Sequence, residues 1–523
     1  MKFLNLLLLF ALVACSSTKT NQQKTTEAPT SNEKPNLLII TLDDMNWNTP
    51  ASYGGSIADL TPNIDKFAQN GIKFENAYVQ APNCSPSRVA IQTGLYPHQS
   101  GTRGFYYVQD HVKTLPEMLR ANGYFTGVIN KKADSSLSPD FENYWDDVSG
   151  PGQKGKYNAE KYNELTRNFI AKAKKNKKPF YGVVNIADPH KPFFNDDIAV
   201  KKGFDEQEPS KIYTLDDIEL PGFLPETDNQ VIRQQYLNYI NSSRRADDVV
   251  GDVLKSLEES GVADNTLVIF LSDHGMPFPY AKSSIYQNGV KTPLIVSWLN
   301  KIEKGAVNKT DLVSAVDIAP TLLDIAGAVI PNTLPGKSFR ESLFNSNTNP
   351  KDYVFAQFDE NAGGLPRPSR TVINQRFGYI FNPWATGKYE FISDATHHPT
   401  YKQMRNLSNA DEKIKKRFDF WVYRAVEELY DYENDPDALN NLIEDPQYKD
   451  VVEELRSELQ RHMENTNDYM IDAYVNREDK DYLNNWMQGQ LDEAKVRREN
   501  IQWKRYKNKS GPTKNNKALY IPN

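Results

Sequence analysis

Four continuous apolar runs constrain this chain more than any other feature. They are Asn36–Leu42, Phe125–Ile129, residues 179–186 and Thr266–Ser272, and none alternates polar with apolar residues as a half-exposed strand does. Each predicts a strand buried on both faces, the pattern of a parallel sheet covered by helices. Chemistry-bearing residues follow every run: Asp43-Asp44, Asn130-Lys131, Asp188-Pro189-His190 and Asp273-His274. Open α/β sheets hold their ligands outside the carboxyl ends of the strands, so these residues are the candidates for one shared site. The expected fold is α/β, a large and mostly parallel sheet flanked by helices.

A chain of 523 residues exceeds what one compact core organises, so two domains are expected. Residues 34–345 read as the larger one. Beyond 345 the pattern changes to short strands at 353–358, 371–374, Phe377–Phe381 and 428–432 and a helix at 451–463. This predicts a smaller antiparallel sheet plus helix within 346–523. Residues 289–296 read as a further strand of the large sheet. The acidic stretch 195–230 reads as a long surface insertion, and 233–260 as one or two helices. The basic last forty residues read as a surface extension. A net charge of −6 gives no general attraction to nucleic acid, while leaving room for a local basic pocket around an anionic substrate. The two cysteines, Cys15 and Cys84, cannot build a disulfide framework and are assigned to chemistry.

The amino terminus carries an apolar run, residues 3–14, too short to cross a bilayer and read as a signal peptide. It ends Leu12-Val13-Ala14-Cys15, which resembles a bacterial lipobox and implies cleavage before Cys15 and lipid on its thiol. Residues 16–33 have too little apolar surface to fold and read as a tether. The expectation is a lipid-anchored protein of the bacterial cell envelope.

Adjacent carboxylates at Asp43-Asp44 repel, and a divalent cation would relieve that; hard oxygen donors favour calcium, with magnesium the alternative. Acidic residues opening a helix are the other reading. Thr61-Pro62 opens a helix with Ile64, Phe67 and Ala68 on its buried side, and 74–79 is an extended stretch leading to Cys84. Cys84 is expected at the start of a helix that Gly94 ends, where free amides favour a developing anion.

Cys84-Ser85-Pro86-Ser87-Arg88 has the Cys-x-Pro-x-Arg spacing of the formylglycine-dependent sulfatases, and the chain resembles that alkaline-phosphatase-like family over roughly residues 34–445. In that family the cysteine becomes a formylglycine whose hydrate attacks sulfur. The resemblance implies Cys84, Arg88, Lys131, His190 and Lys282 as catalytic residues, with Asp43, Asp44, Cys84, Asp273 and His274 around the metal. Arg88 would hydrogen-bond the diol, Lys131 and Lys282 would contact sulfate, and His190 would protonate the leaving oxygen. His274 stands where many members have Asn, and serves as a weak ligand or a hydrogen-bonding group. The Pro277-Phe278-Pro279 stretch before Lys282 is similar to the sulfamidase-like branch, which permits N-sulfate as well as O-sulfate. The family's Gly-Lys-x-His pattern is altered to Asn130-Lys131-Lys132-Ala133, which opens the question of what handles the diol proton; Lys132 and Asp134 are the nearby alternatives. Implied partners are a sulfated polysaccharide or oligosaccharide and a formylglycine-generating or anaerobic sulfatase-maturating enzyme. Arg103, Phe105, Tyr106 and Tyr107 are candidate sugar contacts. The alternatives are phosphodiester or phosphonate hydrolysis on the same fold, or an inactive lipoprotein that binds sulfated glycans.

Overall fold

The computed structural model describes residues 34–132, 144–204, 206–225, 227–344, 348, 350–362 and 364–500, and the side chains up to Arg497. Cys15, Ala133 and Asp134 lie outside the described residues.

An eight-stranded sheet has the order β5-β4-β6-β1-β7-β8-β2-β9. Its strands are β1 (Asn36–Leu42), β2 (Ile72–Phe74), β4 (Phe125–Ile129), β5 (Asp147–Ser149), β6 (Phe180–Ile186), β7 (Thr266–Ser272), β8 (Leu294–Trp298) and β9 (Ala306–Asn308). The short β3 (Ala77–Tyr78) pairs with β10 (Val313–Ser314). The five strands from β5 to β7 are mutually parallel. All seven residues of β6 and of β7 are buried, as their unbroken apolar composition requires. Two corrections apply here. The strand expected at 289–296 starts only at Leu294, after a helical turn at Gln287–Val290, and it runs antiparallel to β7. The extended stretch at 74–79 is divided between β2 and β3.

Helices cover both faces. We label α1 (Pro62–Gln69), α2 (Cys84–Thr93), α3 (Ala159–Lys175) and α4 (Gln230–Glu259) in this part of the chain. α1 buries Ile64, Phe67 and Ala68 as expected. α4 is a single helix of 30 residues whose Val249, Val250, Val253 and Leu257 are buried beside β1 and β7 residues in one core cluster. Residues 195–230 are not a loose insertion. Five of their apolar side chains, Phe204, Tyr213, Ile218, Phe223 and Leu224, are buried, while Ile198, Val200 and Ile212 stay exposed on the surface.

The second sheet is antiparallel, in the order β11 (Val354–Glu360), β12 (Pro366–Ile373), β13 (Phe377–Phe381) and β14 (Glu427–Asp431). Two helices absent from the sequence reading, α5 (Pro399–Leu407) and α6 (Glu412–Tyr423), connect β13 to β14. The predicted closing helix is α7 (Lys449–Asn465). A further helix, α8 (Lys480–Asn500), replaces the expected surface extension up to residue 500. It buries Met487, Ala494 and Arg497, and Arg497 pairs with the buried Glu360 of β11. A basic residue that reads as solvated is thus an anchor of the second sheet.

Candidate active site

The segments that follow β1, β4, β6 and β7 converge on Cys84, the first residue of α2. Asn83 precedes the helix in an extended conformation, and Gly94 closes it in the left-handed region at φ 68°. The unmade amide bonds of that first turn favour negative charge at Cys84. The sulfur lies 3.4 Å from His274 Nε2 and 3.5 Å from Lys282 Nζ. Ser87 Oγ donates to the Asp273 carbonyl at 2.5 Å, tying the helix to the end of β7.

Three fully buried carboxylates surround this point, Asp43, Asp44 and Asp273, with the equally buried His274. Lys282 Nζ donates to both oxygens of Asp44, at 2.7 and 2.9 Å, and His274 Nε2 is 3.2 Å from the nearer one. The Asp44 amide donates to Asp273 Oδ1 at 3.1 Å. Arg88 reaches Asp273 Oδ2 at 2.8 Å and lies 3.5 Å from Asp43, which also pairs with Lys131. Buried charges cost several kcal/mol each unless they are paired, and here three carboxylates face three cations.

The same packing sets the proton affinities. Burial pushes Asp43 up, but Lys131, His190, Arg88 and Lys282 together outweigh it and hold the carboxyl well below its usual range. Burial, with Arg88 and His274 opposing it, leaves Asp273 raised to about 6. Burial opposes the Lys282 charge, and Asp44 overcomes this and raises it. Burial and then Asp43 push the Cys84 thiol well up. An unmodified Cys84 is therefore held as the thiol, a poor nucleophile. Burial lowers His190 to about 3 despite the nearby Asp43 and Asp44. The neutral ring holds its proton at Nδ1, which donates to the Lys191 carbonyl at 2.5 Å, so Nε2 presents a lone pair.

The arrangement fits a divalent cation. One donor atom from each of Asp43, Asp44, Cys84 and His274 lies within 4.8 Å of the others. Both oxygens of Asp43 and Oδ2 of Asp273 are buried and accept no hydrogen bond, ion pairs aside. Converging carboxylate oxygens with unused lone pairs suit a hard ion.

Backbone strain is concentrated here too. Asp44 (φ 76°), Asn130 (φ 62°) and Lys131 (φ 47°) adopt left-handed conformations, which cost about 1–3 kcal/mol each and persist where surrounding contacts enforce them.

The structure adds residues that the sequence reading did not select. Arg88 donates to Thr41 Oγ1 at 2.7 Å and to Asn185 Oδ1 at 2.5 Å. Thr41 and Asn185 face each other across β1 and β6, and the Thr41 hydroxyl donates to Asn185. Each is a lone polar residue inside a buried apolar strand, and that was the available signal. Arg245 of α4 grips Asp188 through Nε at 2.7 Å and Nη2 at 3.2 Å, fixing the loop that carries His190.

Eight of the expected site residues are thus in mutual contact: Asp43, Asp44, Cys84, Arg88, Lys131, Asp273, His274 and Lys282. His190 stands beside them, within range of the Asp43 and Asp44 charges. The candidate sugar contacts are placed differently. Arg103 is buried, paired to Glu493 of α8 at 2.8 Å and set over the Tyr469 ring, and the Tyr106 hydroxyl donates to Glu360 at 2.5 Å. Tyr107 is half-buried. Glu360 in turn accepts from Asn83 Nδ2 at 3.2 Å through its carbonyl, so this cluster braces the residue ahead of Cys84.

The family model described as Sulfatase matches residues 35–328, more than half of the chain. The chain belongs to the sulfatase family. A second model, N-sulphoglucosamine sulphohydrolase, C-terminal, matches residues 273–418. An ulvan-active sulfatase of Formosa agariphila is 29% identical over 518 residues, covering 88% of this chain and 81% of that protein. The human N-sulphoglucosamine sulphohydrolase is 29% identical over 465 residues, covering 83% and 90%. Among solved structures, a 2-O GAG sulfatase shares the fold with a TM-score of 0.62 at 21% identity, over 83% of this chain and 93% of that one. This sulfatase is accordingly a sulfuric ester hydrolase, and the family implies both a metal ion and a formylglycine at the site described.

Proposed function

We propose that this sulfatase removes sulfate from a sulfated oligosaccharide or polysaccharide at the Cys84 centre. The observation that carries the reading is the position of Cys84 at a helix amino terminus, in contact with both His274 and Lys282 and ringed by three buried carboxylates. When formed, formylglycine at residue 84 supplies the nucleophile, and a divalent cation, calcium by its preference for hard oxygens, supplies Lewis acidity. Asp43, Asp44, Asp273 and His274 would hold the ion. A formylglycine-generating or anaerobic maturating enzyme makes the modification.

The chain's own residues divide the remaining work. Arg88, braced by Thr41 and Asn185, keeps Asp43 and Asp273 together. Lys131 and Lys282 are ammonium groups already facing carboxylates, and the oxygens of a bound sulfate would draw on the same charges. Burial keeps His190 neutral, but an anionic sulfate beside the ring favours the imidazolium. Its Nε2 then delivers a proton to the departing oxygen, while the Lys191 carbonyl holds Nδ1. Similarity to a sulphoglucosamine sulphohydrolase and to an ulvan-active sulfatase supports a sugar sulfate, either N- or O-linked. The lipobox-like Leu12–Cys15 sequence and the polar stretch after it support a lipid anchor on a bacterial envelope, where polymers are met.

The test is sulfate release from a panel of sulfated algal and animal saccharides, with phosphonates and phosphodiesters beside them, in a host that forms formylglycine. Sulfate released by the wild type and lost in Cys84→Ala establishes the reading. Phosphorus products without sulfate would overturn it.

A further inference from the structure

A lysine beside the catalytic cluster has no direct partner among the described residues. Lys191 follows His190 in the loop that Arg245 fixes through Asp188, and it is half-buried. The charges of Lys282, Asp44, Asp394 and Asp196 all act on its ammonium group, and Phe193, two residues on, lies 6.1 Å from the His398 ring centre. Yet among the described residues no hydrogen bond, ion pair or aromatic ring engages it. Every other cation of the pocket is engaged: Lys282 by Asp44, Lys131 by Asp43, Arg88 by Asp273. Lys156, on the Lys131 side, lies 4.9 Å from the Tyr157 ring centre and 5.6 Å from that of Phe204.

The surroundings of Lys191 also hold an unused donor. His398, fully buried at the start of α5, accepts the Thr400 amide at Nδ1 (3.1 Å), so its proton is on Nε2, and that atom has no acceptor. The Lys191 charge acts on this ring as well. A half-buried ammonium that no carboxylate meets directly among the described residues, although Asp44, Asp394 and Asp196 act on it at longer range, with an unsatisfied N–H in its neighbourhood, is a site where an anion would be engaged. The scissile sulfate has Lys131 and Lys282 for its own charge.

We propose that Lys191 is a specificity residue that binds a second anionic group of the substrate, a sulfate or carboxylate next to the scissile sulfate. The inference rests on the sugar-sulfatase reading and narrows it: the preferred saccharide is at least dianionic. A charge-assisted hydrogen bond of this kind corresponds to about ten-fold or more in affinity.

The test separates binding from turnover. Full-length Cys84→Ala protein is titrated calorimetrically with three matched disaccharides: one sulfate and otherwise neutral, two sulfates, and one sulfate plus a uronate carboxylate. The expected result is about ten-fold tighter binding of one or both dianionic sugars, with the two arms telling sulfate from carboxylate. Lys191→Met should erase this difference, and Lys156→Met should leave most of it. Equal affinities in the parent, a preference that survives Lys191→Met, or an equal loss in Lys156→Met would each overturn the proposal, the last by pointing to diffuse charge. Sulfate release by the unmutated enzyme is scored separately, so a failed sulfatase reading and a failed subsite give different results.

Discussion

Lys282→Met isolates the electrostatic logic of the site. In the wild type, Asp43, Asp44 and Asp273 carry three negative charges, and Arg88, Lys131 and Lys282 carry three positive ones, all in close contact. The substitution keeps the bulk and removes the ammonium that sits 2.7 and 2.9 Å from the two Asp44 oxygens. Stripping one partner from a buried pair costs about 3–5 kcal/mol. An unfolding entropy of about 2.1 cal/mol/K per residue comes to roughly 1 kcal/mol/K for a chain of this length, so the metal-free variant should melt about 3–5 °C below the wild type. A cation at about 100 times its Kd adds about 2.7 kcal/mol to either protein. The variant should gain more, because Lys282 no longer repels the ion; at 4 Å and an effective dielectric of 20 that repulsion is about 4 kcal/mol per unit charge. Calorimetric melting in chelator and in saturating calcium measures both numbers. If calcium raises the two melting temperatures equally, Asp44 is not part of the ion site and the charge argument fails.

Four further outcomes are expected. Asp43→Asn should abolish metal-dependent sulfate release while circular dichroism stays native, because it keeps the side-chain shape and removes one of the charges that would hold the ion, while Arg88 keeps its pairing with Asp273; full activity would remove Asp43 from the ion site. His190→Gln should lower kcat at least a hundred-fold on sugar sulfates and far less on an aryl sulfate whose leaving group needs no proton, and equal losses on both would dismiss the proton-donor role. Burial and the Lys191 charge hold His398 well below its ordinary range, so below about pH 6.5 the unfolded chain binds a proton that the folded chain refuses. Stability is therefore lost as pH falls, by about 2 kcal/mol between pH 6.5 and 5 at about 1.4 kcal/mol per pH unit, and urea midpoints of His398→Phe should fall less steeply over that range. Cys15→Ala should move the protein from the membrane to the soluble fraction, and unchanged membrane association would argue against the lipobox.

The candidate residues Asp43, Asp44, Lys131, His190, Asp273 and His274 were legible because each follows a run whose burial is written in its composition, and a parallel sheet brings the ends of such runs to one edge; Cys84, Arg88 and Lys282 were legible only through the family pattern that they resemble. What stayed hidden depends on contacts distant in sequence. Nothing local to Lys191 tells that Asp394 and His398 come within range of its charge, because the segment between β13 and β14 brings them there some 200 residues later. Arg497 reads as one more solvated base until Glu360, 137 residues earlier, supplies its charge. In 195–230 the acidic average conceals five well-spaced apolar side chains, and these decide that the segment packs. Arg103 and Tyr106 look like open aromatic and basic surface because their partners, Glu493 and Glu360, lie in the part of the chain read last.

Asn130 shows why a departure from a family pattern must be judged by conformation. The residue ahead of Lys131 has φ 62°, and the family's Gly meets such a requirement without steric cost. Asn is the side chain that tolerates this region best after Gly, and here it is held in place as well. Its Nδ2 donates to the Tyr162 hydroxyl at 2.7 Å and to the Asn185 carbonyl at 2.9 Å, while Asn185 Nδ2 donates back to the Asn130 carbonyl at 3.1 Å. The left-handed turn is thereby kept, and Lys131 still reaches Asp43. Asn185 also accepts from Arg88, so the replacement ties the Lys131 turn to the arginine of the nucleophile helix, a link that a glycine has no side chain to make. The change at 130 therefore preserves the conformation the site needs and adds a connection within it.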